Sequence, residues 1–460
     1  MSQSSLSEKL AIEGGPKAVA QFEGQPRPRH GIDEFLSIAE RFGFSEAARA
    51  RMREVISEDD LTPELTLAHY GSGLPQTKVD TFEEQARKIF GIEYALGVTS
   101  GTAALHSAFV AAGVGPGTEV ICPAIGFFAT ASEVVMAKGI PVFCDVDQSL
   151  SMDPAKIEAL ITPRTVAIAP THVWGTVCDM DPIMAIARKH NLKVIEDCAQ
   201  SPGARYKGRY VGTIGDLGCF SISCYKIIGA GEGGLVLTHD QRLWERAAGL
   251  AEAGGLWRPK RFAPPRYPGE LFPGTNYRLS ELEAAVDIYQ LAKLPGVVNR
   301  FHTAKMQILQ ELKTFKEITP RKMYDVAGEI GYTICFFPET FELGHKIVSA
   351  LNAEGIQCHM RGAEAGPDWH QYSHMFAITQ KTGPTPDNCP FECPLYLARG
   401  GHAEYARGDC PVADDLYDRA IWIWLRNQWL TANDCHNIAH GINKVLSAYC
   451  TEDAQATRWI

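Results

Sequence analysis

The sequence predicts an α/β protein: a mostly parallel sheet covered by helices, with a smaller α+β domain at the C-terminal end. Three observations carry this expectation. Short apolar runs rich in β-branched residues (EVICPA, IPVFCDV, TVAIAPTH, LKVIEDCA) alternate with helical stretches such as TASEVVMAKG and DPIMAIARKHN. Continuous apolar strands with helices between them are buried on both faces and joined by crossovers. After about Val298 the alternation loosens into helices and shorter strands, and 460 residues are too many for one ordinary domain.

Taken in order, residues 1–60 read as an N-terminal extension, with proline- and arginine-rich pieces (GQPRPRHG, EAARARMRE) around a short helical pattern. Residues 61–298 form the expected large domain. TFEEQARKIFG is an amphipathic helix closed by Gly91. YALGVTSGTAALHSAFVAAGV is a short strand, a turn and an alanine-rich helix. The four runs above follow, then the strands GCFSIS and GGLVLT and the long helix RLSELEAAVDIYQLAKL. Residues 299–460 form the smaller domain, ending in two helices with a short strand between them (CPVADDLYDRAIWIWL, DCHNIAHGINKVLSAY).

Composition narrows the function. A net charge of −10 argues against a nucleic-acid groove and an anionic membrane surface, while leaving room for a few donors that hold a phosphorylated ligand. The N-terminus lacks the basic and apolar regions of a signal peptide, and no apolar run reaches spanning length. Thirteen scattered cysteines suggest reduced thiols, so the expected location is cytoplasmic. Cys389, Cys393 and Cys410 lie near His370, His374 and His402 in the chain, but their spacing fits no zinc knuckle and no metal is expected.

Three pieces could carry chemistry. In VTSGTAAL a strand gives way to a helix at Ser100, Gly101 and Thr102, where free amides, a positive dipole end and hydroxyls suit a phosphate; the same residues also make an ordinary helix cap. In KVIEDCAQS, Asp197 ends a buried strand, where ligands collect at the carboxyl edge of a parallel sheet and a carboxylate needs a cation. In SCYKIIGAGEGG, Lys226 stands in an apolar stretch before crowded glycines that let backbone pass close to a ligand. Each alone has a bland explanation. Together they are what pyridoxal 5'-phosphate requires: a phosphate cup, an aspartate for the pyridine nitrogen and a lysine for the covalent link.

These pieces, with EVICPAIGFFATASEV, PTHVWGTVCDMD, GDLGCFSISCYK and GTNYRLSELEAAV, resemble the DegT/DnrJ/EryC1/StrS aminotransferases, the keto-sugar and keto-cyclitol branch of fold-type I pyridoxal phosphate enzymes. The resemblance runs from about YGSGLPQTKVDTFE to the C-terminal helix. It implies that Lys226 is the Schiff-base lysine, that Asp197 binds the pyridine nitrogen and that Gln200 lies near the ring hydroxyl. It further implies that Gly101, Thr102 and Ser221 hold the phosphate and that Phe127 stacks on the ring. Asn276 or Arg278 would reach the phosphate of a neighbouring subunit in a homodimer. The implied reaction moves an amino group from L-glutamine or L-glutamate to a keto-sugar or inosose-like acceptor. A dehydratase, a decarboxylase or racemase on the same scaffold, and a silent cofactor-binding regulator are the rivals; the first usually has histidine in place of the lysine. Two departures stand out. Gly229 occupies a position where the family usually has Ser or Thr, and the stretches around 252–274 and 368–411 are long. Tyr70, His172, Trp174 and His370 are candidate substrate contacts.

Overall fold

In the computed structural model, residues 9–24, 27–62, 64, 66–68, 76–254, 264–362, 366 and 368–460 are described. The chain divides into two compact units, residues 1–75 and 76–460.

The first unit contains helices Ile32–Arg41 and Glu46–Val55. The arginine-rich EAARARMRE piece is therefore helical: Ser45 caps it by accepting from the amide of Ala48 at 3.2 Å, and Arg53 pairs with Asp33 of the first helix. Its apolar face is weak in sequence, so capping and charge define it.

The second unit holds a sheet of seven strands. These are β1 (Tyr94–Val98), β2 (Glu119–Pro123), β3 (Ile140–Cys144), β4 (Thr165–Ile168) and β5 (Lys193–Asp197). After a two-residue hairpin, β6 (Arg205–Tyr206) and β7 (Arg209–Tyr210), come β8 (Leu217–Ser221) and β9 (Gly234–Thr238). The order is β1-β9-β8-β5-β4-β2-β3. Only β9 runs against the others. Side-chain alternation divides this sheet between two cores. Ile121, Val194, Phe220 and Leu235 enter one, while Val120, Cys122, Ile195, Cys219 and Val236 enter the other. Each large apolar side chain so buried contributes about 1.5–3 kcal/mol. That two-sided burial is why these strands read as unbroken apolar runs.

A second sheet follows, in the order β10-β11-β13-β12. Its strands are β10 (Ile318–Pro320), β11 (Thr333–Pro338), β12 (Cys358–Met360) and β13 (Ile421–Trp424). Helix Glu281–Glu311 lies between the sheets in sequence and runs through residue 298 without a break. Ser280 caps this helix, and its Glu281 carboxylate accepts from the amides of Lys78 and Val79, so it also caps helix Lys78–Phe90. No helix among the described residues is long and apolar enough to cross a membrane.

The same long helix buries Asp287, neither of whose oxygens has a hydrogen-bond partner among the described residues. Burial, with Glu283 nearby, pushes its carboxyl up to about 8. A carboxyl raised on folding binds its proton more tightly in the native state, so native stability falls as pH rises from about 4 to 8. Asp287→Asn is neutral throughout and should remove that fall. Urea melts at pH 5 and pH 8 should show the variant gaining on wild type at the higher pH by on the order of 1–3 kcal/mol. Parallel curves for the two proteins would refute the assignment.

Candidate active site

The ends of four strands build the site. Register places Val98, Gly234 and Ser221 side by side across β1, β9 and β8, and Asp197 closes β5 at the same carboxyl edge. Beyond β1 the chain turns into helix Gly101–Ala111, capped by Ser100, whose hydroxyl accepts from the amide of Ala103 at 3.0 Å. The packing here admits only glycine at two positions. A Cβ on Gly101 would lie 2.6 Å from Cβ of Ser221, and one on Gly234 would lie 2.2 Å from the carbonyl oxygen of Ser100. The amides of Gly101 and Thr102 have no partner among the described residues, so the positive helix end is open beside the Ser221 hydroxyl.

Asp197 is 2 % exposed. Its Oδ2 accepts from the Thr130 hydroxyl at 2.6 Å and its Oδ1 from the amide of Ala199 at 3.0 Å. These two bonds orient the carboxylate and repay part of its desolvation.

Lys226 is carried on the loop between β8 and β9. The loop is closed by backbone bonds from Ile222 to Gly233, Cys224 to Gly231 and Ala230 to Ile222. Gly231 has φ +126°, and a Cβ there would meet a Glu283 oxygen at 2.9 Å. Gly229 is equally constrained: a Cβ would lie 2.7 Å from both Cα of Cys224 and the carbonyl oxygen of Ser223. The departure at this position is thus required by the closure of this loop. Burial holds the Lys226 amine below the ordinary lysine range, and the Asp197 carboxylate pulls it the other way. Its Nζ makes no hydrogen bond among the described residues.

Lys226 opens into a cavity of about 600 Å³ that Trp174, Gln200, His370 and Tyr417 also line. Gln200 accepts from the amide of Trp174 at 3.0 Å. That bond helps to hold Trp174 in a left-handed conformation, φ 50° and ψ 48°, which costs a residue with a side chain about 1–2 kcal/mol. His370 sits between the rings of Phe127 (5.5 Å) and Trp174 (5.2 Å). Burial depresses its pKa, Asp368 opposes that, and the charge of Lys226 adds to it. The fold brings His370 here by pairing backbones: Gly126 donates to His370 and Phe128 to Trp369. Phe127 is 41 % exposed.

Other expected residues fall elsewhere. His172 cannot touch a substrate, which corrects the expectation for it. It is fully buried, with Nε2 3.0 Å from Glu196 and Nδ1 accepting from the amide of Cys178 at 3.1 Å. The proton therefore sits on Nε2 and is donated to Glu196, which also accepts from the amides of Gly212, Ile214 and Gly215. His172, Glu196 and Cys198 bring ligand atoms within 4.8 Å of one another. Those atoms are already engaged, and burial raises the Cys198 thiol to about 12, so the trio ties β5 to its neighbours. Asn276 and Arg278 flank Tyr277, whose carbonyl accepts from Thr99 of the same chain. They lie beside the Ser100 turn, and neither lines the Lys226 cavity. Tyr70 lies outside the described residues, as do 255–263 of the long 252–274 connection.

The cavity also has walls that sequence reasoning missed: Tyr332, His359, Asp368, Tyr417, Trp422, Trp424 and Arg426. The strand IWIWL carried a signal, since its two tryptophans at i and i+2 share one face.

Comparison with known proteins gives a consistent picture. The sequence model described as the DegT/DnrJ/EryC1/StrS aminotransferase family matches residues 68–371. GDP-perosamine synthase of Caulobacter vibrioides is 42% identical over 214 residues, 46% of this chain and 56% of that one. The L-glutamine:2-deoxy-scyllo-inosose aminotransferase of Streptoalloteichus tenebrarius is 41% identical over 209 residues, 44% of this chain and 49% of its own length. The chain thus spans about half the length of these two curated relatives. The crystal structure of an aminotransferase from Psychrobacter cryohalolentis superposes with a TM-score of 0.67 at 25% identity, covering 92% of this chain and 99% of that one.

Proposed function

The chain belongs to the DegT/DnrJ/EryC1/StrS aminotransferase family, and on that premise we propose that it uses pyridoxal 5'-phosphate to move an amino group from L-glutamine or L-glutamate to a keto-sugar or keto-cyclitol. One observation carries the reading. The Lys226 amine makes no hydrogen bond among the described residues and feels the charge of Asp197, and Ser221 of the strand that leads to it packs against a helix end that only glycine permits.

The residues fit that cofactor. Two free amides, at Gly101 and Thr102, with the Ser221 hydroxyl would hold its phosphate. Asp197 would face its ring nitrogen, Phe127 would cover its ring, and the Gln200 amide would lie near its ring hydroxyl. When bound, pyridoxal phosphate supplies an electron sink for breaking the donor's Cα–H bond. Lys226 would form the covalent link and, once displaced, would carry the proton from that carbon; burial, which lowers its pKa, favours the neutral amine that these roles need. Trp174 and His370 bound the space left for substrate. Residues 61–298 would supply the cup, Asp197 and Lys226, and residues 299–460 would supply His370. Asn276 or Arg278 would complete the site of a neighbouring subunit in a homodimer.

The test is the visible spectrum of the cofactor-loaded protein with donor alone. Adding L-glutamine or L-glutamate should bleach the lysine-bound cofactor band and release one equivalent of the matching 2-keto acid. A band unchanged by either donor would refute the proposal.

A further inference from the structure

The C-terminal helix Ala432–Tyr449 carries a polar patch that the Lys226 cavity does not use. His436, His440 and Asn443 stand at i, i+4 and i+7 and so share one helix face. The end of the long helix Glu281–Glu311 is fastened across that face. Asn443 donates to the carbonyl of Glu311 at 2.8 Å and accepts from the amide of Lys313 at 2.8 Å. One turn earlier, Gln307 donates to the carbonyl of Ala432 at 3.1 Å. The backbone of Glu311 is thus held at Asn443, while its carboxylate reaches His436, with Oε2 2.6 Å from Nδ1. His440 lies between these two contacts along the helix. Its ring is 6.4 Å from that of His436, with the planes 20° from parallel.

These groups have the chemistry of a metal ligand set. Imidazole suits zinc and its first-row neighbours, and histidines at i, i+4 on a helix can offer two nitrogens to one ion. A ligating histidine is best oriented when a carboxylate takes its other ring N–H. Glu311 does this for His436: Nδ1–H donates to the carboxylate, and the lone pair of Nε2 is left to bind outward. His440 makes no hydrogen bond or ion pair among the described residues. Both imidazoles are exposed, so a side-chain turn brings their nitrogens together. Lys313 and Lys444, which border the patch, are paired with Glu452 and Glu354, which limits their repulsion of a cation. The pair H-x3-H is too common to signal a metal in sequence, and Glu311 stands 125 residues away.

We propose that His436 and His440, with Glu311 orienting the first, bind a divalent transition ion of the zinc class where the two helices meet.

Calorimetric titration of the cofactor-loaded protein, free of any affinity tag, with Zn²⁺ tests it. Thiols and other histidines also take zinc, so the difference between proteins is what counts. Wild type should show one site more than His436→Ala/His440→Ala. Glu311→Gln should weaken that site about tenfold, and either single histidine-to-alanine change should weaken it more. Excess Mg²⁺ should not displace the zinc, because magnesium prefers oxygen ligands. Zinc should raise the melting temperature of wild type more than that of the double variant, since the ligands are assembled only in the native state. All three side chains are exposed, and the visible cofactor band reports that each variant is folded and loaded.

Equal zinc binding by wild type and the double variant would place the ion elsewhere and overturn the proposal. So would a single alanine change without effect, displacement by Mg²⁺, or no zinc binding at all. Glu311→Gln matching wild type would overturn the part given to the carboxylate. None of these readouts involves donor or acceptor, so a failed aminotransfer reaction would leave them standing.

Discussion

Lys226→Ala should abolish the covalent cofactor and lower transamination by at least about 10³-fold, in keeping with loss of both a covalent anchor and an acid–base group. The covalent part is read without turnover: borohydride treatment followed by peptide mass analysis should fix cofactor on wild type and none on the variant. A retained adduct would mean that another lysine holds the cofactor. The variant should also fold well. The Lys226 amine makes no hydrogen bond among the described residues, and its burial lowers its pKa, so the apo protein holds a charge that its surroundings disfavour. The sign follows from linkage: the native state binds that proton less tightly than the unfolded chain, so wild-type stability rises as pH climbs toward the ordinary lysine value. Apo Lys226→Ala should therefore match or exceed wild-type stability at pH 7, with the gap closing by about pH 10.5. A variant that melts earlier than wild type at pH 7 would show that the lysine stem, not the amine, dominates at this position.

The elements that were legible in the sequence are those whose signal is local. Unbroken runs such as KVIED announced buried parallel strands, and the two-sided cores explain why no polar alternation interrupts them. Lys226 and Asp197 stood out as candidates because glycine crowding and a strand-end carboxylate are themselves local patterns. His172 was misread for the opposite reason. Its partner Glu196 lies on the neighbouring strand β5, and only the fold shows that both ring nitrogens are occupied. Trp174 and His370 both line the Lys226 cavity, yet what brings them together is the pairing of residues 369–370 with 126–128, which no spacing announces. The aromatic wall of Tyr332, Trp422 and Trp424 depends on β11 and β13 lying side by side. The meaning of Gly229 also waited for coordinates, since the obstacle to a side chain there is the backbone of Ser223 and Cys224.

Asp197→Asn keeps the size of the side chain and removes its charge, so it separates shape from electrostatics. The carboxylate accepts from Thr130 on one oxygen and from the amide of Ala199 on the other. An asparagine can keep both contacts, its Oδ1 accepting from Ala199 and its NH₂ donating to the Thr130 hydroxyl, which turns to accept. Turnover should fall by about 10²-fold or more, the scale of losing a preorganised charge at a reacting centre. Near-normal turnover would remove Asp197 from the chemistry. A second readout reports on this chain's own pair of groups. The Asp197 charge raises the pKa of Lys226 against the larger effect of burial. With that charge gone, burial acts unopposed and the pKa of Lys226 drops further. In the apo protein, the pH at which Lys226 becomes half-reactive toward an acylating reagent should move down in Asp197→Asn. A merely structural Asp197 would leave that midpoint where it is. The variant thus distinguishes an aspartate that tunes the lysine from one that only holds Thr130 and Ala199 in place.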